Sequence, residues 1–193
     1  IITLNILIPF LLGTGIDLYV PSLPAITDYF HTTIHLTQIT ISLYMLGYAI
    51  GQFLFGILSD SLGRRKILIL CTLFFTVFSF LSIGASNIAV LNIYRLIQGL
   101  AVGGMSVLSR AITTDCFAGK NLTKVLTYNS SSWALGPILG PLIGGYLQHY
   151  FNWQADFYFF GIFGLILLIY AFITLPETNQ HFASLRPKRI YQI

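Results

Sequence analysis

Asp17 and Arg95 are the two residues best placed to do chemistry, because each stands inside an otherwise apolar run. A charge at the centre of a lipid layer costs roughly 2.5 kcal/mol or more, so an intramembrane carboxylate or guanidinium must face a bundle interior or a watery cavity. A carboxylate held partly out of water can take up and release a proton, so Asp17 reads as a proton or cation site. Its plainer alternative is a solvated acid at a helix end, or a cap for the Pro21 turn. Arg95 falls at a similar depth and needs a partner or a wet cavity, with a snorkelling Arg that reaches headgroups as the alternative. A second charged group is Asp60-Ser61-Leu62-Gly63-Arg64-Arg65-Lys66, four charges in seven residues between two apolar stretches. It can only be a tight turn at a membrane face, and three basic charges favour the cytoplasmic face. Arg64 could reach Asp115 at the end of a later helix, and Asp60 could cap or pair with a helix end, which together would form a gating latch. Keeping a basic loop inside is the simpler role.

The elements that must position these residues are helices. Of the 193 residues 55% are apolar and only 8% charged, against about 25% charged in soluble domains. At about 20 residues per span this length allows roughly six transmembrane helices. The pattern predicts spans at 1–20, 38–59, 67–85, 89–113, 125–150 and 157–175, within a six-helix unit over 1–178. Residues 179–193 follow as a basic tail or the start of a linker. Pro21 and Pro24 are expected to end the first span, since proline lacks a donor and restricts its predecessor. Gly47 and Gly51, four apart, and Gly56 favour close helix approach. Arg64, Arg65, Lys66, Lys120, Lys124, Arg186, Lys188 and Arg189 all fall on one side under this count, so both chain ends are expected in the cytoplasm.

Composition also excludes functions. A net charge of +4 is explained by orientation rather than by a nucleic-acid partner. Cys71 and Cys116 make no framework and read as free thiols. No zinc spacing, phosphate loop or nucleophile elbow is present, so no enzyme, metal or cofactor is expected. His31, His35, His149 and His181 lie in loops or the tail and read as solvated. Asp156 has no reading from sequence.

Gly56-x-Leu58-Ser59-Asp60-x-x-Gly63-Arg64-Arg65-Lys66 closely resembles the loop between helices 2 and 3 of the major facilitator superfamily. Ser61 stands where that family usually has a basic residue. Arg95-x-x-Gln98-Gly99 is similar to its helix 4 motif. Gly136-Pro137-x-x-Gly140-Pro141-x-x-Gly144-Gly145 is similar to its exporter helix 5 motif, and Asp17-x-Tyr19-x-Pro21-x-x-Pro24 to the helix 1 signature of the bicyclomycin and chloramphenicol exporters. Arg110-Ala111-Ile112 and Asp115 resemble a further segment of that branch, where pairing at the cytoplasmic interface and a direct role stand equal. Trp153-Gln154-Ala155-Asp156 matches only in part, with Gln154 in place of an Arg.

The resemblance implies an all-α half of a twelve-helix fold, built as two three-helix repeats. It implies proton-driven export of small amphipathic drugs across a bacterial inner membrane, powered by the proton gradient with no cofactor. Asp17 would be the coupling acid and Arg95 would tune it. The helix 5 motif would favour antiport. Tyr19, Tyr44, Gln52, Gln98, Met105, Asn129 and Trp133 are weaker expectations for the cavity wall. Partners would be substrate, protons, lipid and a second six-helix half, either in the same chain beyond Ile193 or in another. The Ile1 start favours a fragment or a truncation. The alternative is a truncated, non-transporting protein that only packs with partner helices.

Overall fold

The computed structural model describes residues 2–178 and is all-helical. The expected basic tail at 179–193 lies outside the described residues. Seven α-helices follow in order: α1 (Leu4–Asp17), α2 (Leu23–Tyr29), α3 (Ile34–Leu62), α4 (Arg64–Ile83), α5 (Ile88–Cys116), α6 (Gly119–Phe151) and α7 (Gln154–Thr174). A 3-10 turn at Val20–Ser22 joins α1 to α2, and together they make one rod, Leu4–Tyr29. The result is six rods. Five of them are long and apolar enough to cross a membrane by length and composition: Leu4–Tyr29, α3, α4, α5 and α7. The sixth, α6, has 33 residues but carries Ser, Thr, Asn and Lys along its first half.

The helices run further than the sequence pattern suggests. Pro21 and Pro24 do not end the first rod. Each sits at the first or second position of a new helical segment, where a missing N–H breaks no helical bond. The gap left between the expected spans at 1–20 and 38–59 holds a loop of only four residues, 30–33, and Thr33 caps α3 by accepting from the Leu36 amide at 3.4 Å. The gap left between the expected spans at 89–113 and 125–150 shrinks to Phe117 and Ala118, with Lys120 and Lys124 in the first turns of α6. Lys and Asn are acceptable at an exposed helix start, so polarity alone does not mark a loop there.

The surface is what identifies the solvent. Phe53, Ile57, Ile138, Leu142, Ile162, Phe172 and Ile173 are exposed, while Thr14, Ser79, Ser82, Arg95, Gln98 and Asp156 are buried. Apolar residues outside and polar residues within suit a hydrocarbon surround, where interior polar groups bond to each other. Thr72, Thr76, Ser79 and Ser82 turn their hydroxyls back onto carbonyls of their own helix, at 2.7 to 2.8 Å.

Two glycine seams hold the rods together. In the first, α3 lies on α5. A Cβ at Gly47 would collide with the Leu96 carbonyl, at Gly51 with Leu100, at Gly99 with the Tyr44 carbonyl and at Gly103 with the Tyr48 carbonyl. In the second, α1 lies on α6. A Cβ at Gly13 would strike the Trp133 carbonyl, at Gly136 the backbone of Gly13, and at Gly144 the Leu18 carbonyl. Small residues let backbones approach where water provides no drive to associate helices. The second helix of each three-helix set thus packs on the first helix of the other. The third helices, α4 and α7, pack on each other.

Candidate functional site

Arg95 is fully buried at the centre of the bundle. The first turns of α5 bring it beside the end of α1 and the first half of α3. Its guanidinium carbon lies 4.4 Å from the Tyr19 ring centroid and 4.3 Å from that of Tyr44. Phe157 stands 5.9 Å away. One terminal nitrogen donates to Gln98 Oε1 at 3.0 Å and the other to the Gly15 carbonyl at 3.2 Å. Gln98 is held in turn, donating from Nε2 to Ser79 Oγ and Ser82 Oγ, each at 3.3 Å. The cation is therefore housed by two aromatic faces, an amide and a backbone carbonyl. No carboxylate lies within ion-pair distance of it among the described residues. A desolvated guanidinium on an aromatic face gains about 2 kcal/mol, so two faces offset part of what burial costs.

Asp17 is the last residue of α1 and is half-buried. It does not pair with Arg95 within 4 Å. Its Cβ lies against Gly140 of α6, where an added methyl would sit 3.0 Å from it. Gly140 thus forms the seat of the acid, and Gly15, two residues before it, is the point that Arg95 grips. Gly136, Gly140 and Gly144 share the α1-facing stripe, whereas Gly145 faces open space. Pro137 and Pro141 stand exposed inside α6, which continues through both.

Sequence reasoning had no role for Asp156, which is also fully buried. It lies in the first turn of α7 and accepts from Ser22 Oγ at 2.6 Å. That bond ties α7 to the Pro21 turn across 134 residues. Its only advance signal was an acid at the start of an apolar helix.

A second cluster surrounds the basic turn. Gly63, at φ +98°, separates α3 from α4, a conformation open mainly to glycine. Arg64 meets Asp60 at 2.6 Å and Asp115 at 3.2 Å, and donates to Ser59 Oγ at 2.6 Å. Its amide donates to Glu177 Oε1 at 2.9 Å, so a carboxylate from beyond α7 sits on the N-terminus of α4, where the helix dipole favours a negative charge. Arg65 donates to the Phe172 carbonyl at 2.8 Å. Gly56 borders Val107. Glu177 is the member the sequence did not reveal. Arg110, grouped with this cluster by sequence, stands apart from it. It is exposed and lines a cleft with Pro9, Leu12, Tyr48, Ser106, Ser109, Asn129, Ser130 and Trp133.

The cavity expectations divide accordingly. Asn129 and Trp133 line that cleft. Tyr19, Tyr44 and Gln98 enclose Arg95, and Met105 is fully buried in the bundle. Gln52 is half-buried on the α3–α5 seam, with its backbone nitrogen close to where a Cβ on Gly103 would project.

This geometry can be set beside known proteins. The profile of the Major Facilitator Superfamily matches residues 6–190. The chain belongs to that superfamily. It is 37% identical over 177 residues to an uncharacterized transporter of Rickettsia bellii, covering 91% of this chain and 44% of that protein. It is 31% identical over 177 residues to a bicyclomycin resistance protein homolog of Haemophilus influenzae, covering 92% and 44%. Among solved structures, a D-xylose-proton symporter superposes with a TM-score of 0.83 at 19% identity, over 95% of this chain and 49% of that one. That likeness speaks to fold alone. The chain spans less than half the length of both curated relatives. Its kin are membrane transporters rather than enzymes.

Proposed function

We propose that this chain is the N-terminal six-helix part of a proton-coupled exporter of small amphipathic compounds in a bacterial inner membrane. The observation that carries the reading is the placement of Asp17. A half-buried acid ends α1, seated on Gly140, two residues from the carbonyl held by Arg95. A carboxylate at a helix C-terminus adds to the negative end of the dipole, and protonation relieves that repulsion. Proton loading at Asp17 would therefore alter the end of α1 where α5 and α6 both hold it. Resemblance to the bicyclomycin resistance homolog supports export as the direction. The basic Gly63–Lys66 turn is read as cytoplasmic, so both ends of the described chain share that side. The Arg64 cluster, binding α3, α4, α5 and Glu177 beyond α7, would hold one conformation closed. A second six-helix half would supply the facing wall. No cofactor beyond the proton gradient enters this mechanism.

The test is proton-driven drug export from inverted membrane vesicles by the full-length product. Asp17→Asn should abolish export of chloramphenicol and of a cationic amphipathic dye while the amount of protein in the membrane stays normal. Unchanged export by Asp17→Asn would overturn the assignment of Asp17.

A further inference from the structure

The Arg110 cleft has no part in the proton site or in the basic-turn cluster. It opens between α1, α3, α5 and α6, and Arg110 is its single charged lining residue. Arg110 makes no ion pair within 4 Å among the described residues, and Asp115, the acid that follows it on α5, pairs with Arg64 at 3.2 Å. The remaining lining is half polar and held in place. Tyr48 OH meets Ser106 Oγ at 3.1 Å, and Asn129 donates to Ser109 Oγ at 3.4 Å. Ser109 donates onward to Asn5 Oδ1 at 3.0 Å, which anchors the polar wall to α1. Trp133, 51% exposed, lines the same cleft together with Pro9 and Leu12.

We propose that this cleft binds an amphipathic organic anion, with Arg110 on its carboxylate, sulfonate or phosphate and Trp133 against its aromatic or apolar body. A guanidinium fork matches such an anion in geometry and charge. Hydroxyl and amide groups at the rim supply further donors, and a flat indole supplies the apolar contact. Arg110 is exposed at the cleft, so its guanidinium is open to an incoming anion. The proposal rests on the reading of this chain as ligand-handling, but it does not require proton coupling. It assigns the ligand class by the charge that Arg110 selects.

The experiment measures equilibrium binding of three naphthalene probes, an acetate, its amide and an ethylamine, to the full-length product in nanodiscs of uncharged phosphatidylcholine. Wild type should prefer the acetate to the amide by about tenfold, the effect of one charge-assisted contact. Arg110→Gln should weaken the acetate about tenfold and leave the amide within twofold, which also shows that the variant is folded. Arg110→Lys should retain part of the preference. Phosphatidylglycerol nanodiscs separate the sources of the anion. Competition with the acetate in wild type but not in Arg110→Gln would make a lipid headgroup the occupant, and no competition would favour a free organic anion. The proposal is overturned if wild type binds acetate and amide equally, if it binds neither, or if Arg110→Gln leaves acetate affinity unchanged. Loss of export in Asp17→Asn is read separately, so failure of either idea is distinguishable from failure of the other.

Discussion

Arg95 donates to the carbonyl of Gly15 at 3.2 Å, across 80 residues of sequence. The guanidinium thus grips backbone at the end of α1 rather than the side chain of Asp17. Any change in the last turn of α1 must be felt by Arg95, and through Gln98 by the α4 hydroxyls of Ser79 and Ser82.

Arg95→Lys should behave as a loss rather than a conservative change. A lysine cannot lie flat between Tyr19 and Tyr44 while also bonding both Gln98 and Gly15. We expect destabilisation of about 2 kcal/mol, seen as a lower melting temperature in detergent, together with loss of export. Stability and export like wild type would mean that the planar stack is dispensable.

Gly144→Ala should destabilise the bundle by roughly 1–3 kcal/mol, since the added methyl would press on the Leu18 carbonyl and force α1 from α6. Gly145→Ala, its neighbour, meets nothing within 4 Å and should stay within about 0.5 kcal/mol of wild type. Thermal unfolding of the pair compares the seam with the bare helix. Equal effects would mean that the seam does not set the packing.

Glu177→Ala removes the acceptor for the Arg64 amide and leaves the start of α4 without its carboxylate. The expected cost is about 1 kcal/mol. Gly63→Ala should cost more, because its backbone lies at φ +98° and its methyl would come within 2.6 Å of Glu177 Oε2. Melting temperatures of the two single variants and the double variant test their coupling. Strictly additive effects would mean that Glu177 and Gly63 do not act on each other.

Cys116 is exposed at the basic end of the bundle, and Cys71 is buried beside Gly104. A membrane-impermeant maleimide should label Cys116 in inverted vesicles and not in right-side-out cells, with Cys71 protected in both. Labelling of Cys116 from outside would reverse the proposed orientation.

Much of the architecture was legible in the chain. An apolar content of 55% with charges confined to short turns leaves helices in a membrane as the workable solution, because lipid satisfies no backbone group. Gly47 and Gly51, or Gly136, Gly140 and Gly144, recur every four residues, so each set falls on one helix face and announces a close contact. What these patterns could not show is which helix each stripe meets. Nor did they locate helix ends well. Pro21, Pro24, Lys120 and Lys124 look like loop residues, but a proline or a lysine is at home in a first helical turn.

The amino-acid sequence by itself determined the fold class and the small-residue stripes, and it marked Asp17 and Arg95 as charges inside apolar runs. Local periodicity and the cost of a charge in lipid are properties of residue type and spacing. Only the tertiary structure decided their partners. It set Arg95 between Tyr19 and Tyr44, tied Asp156 to Ser22, placed Glu177 on the start of α4 and moved Arg110 from the basic cluster to a cleft wall. These contacts join residues far apart in the chain, and they exist only once two glycine seams have brought the backbones together. A helix pattern states which face is small or polar. The packing of six rods decides what that face touches.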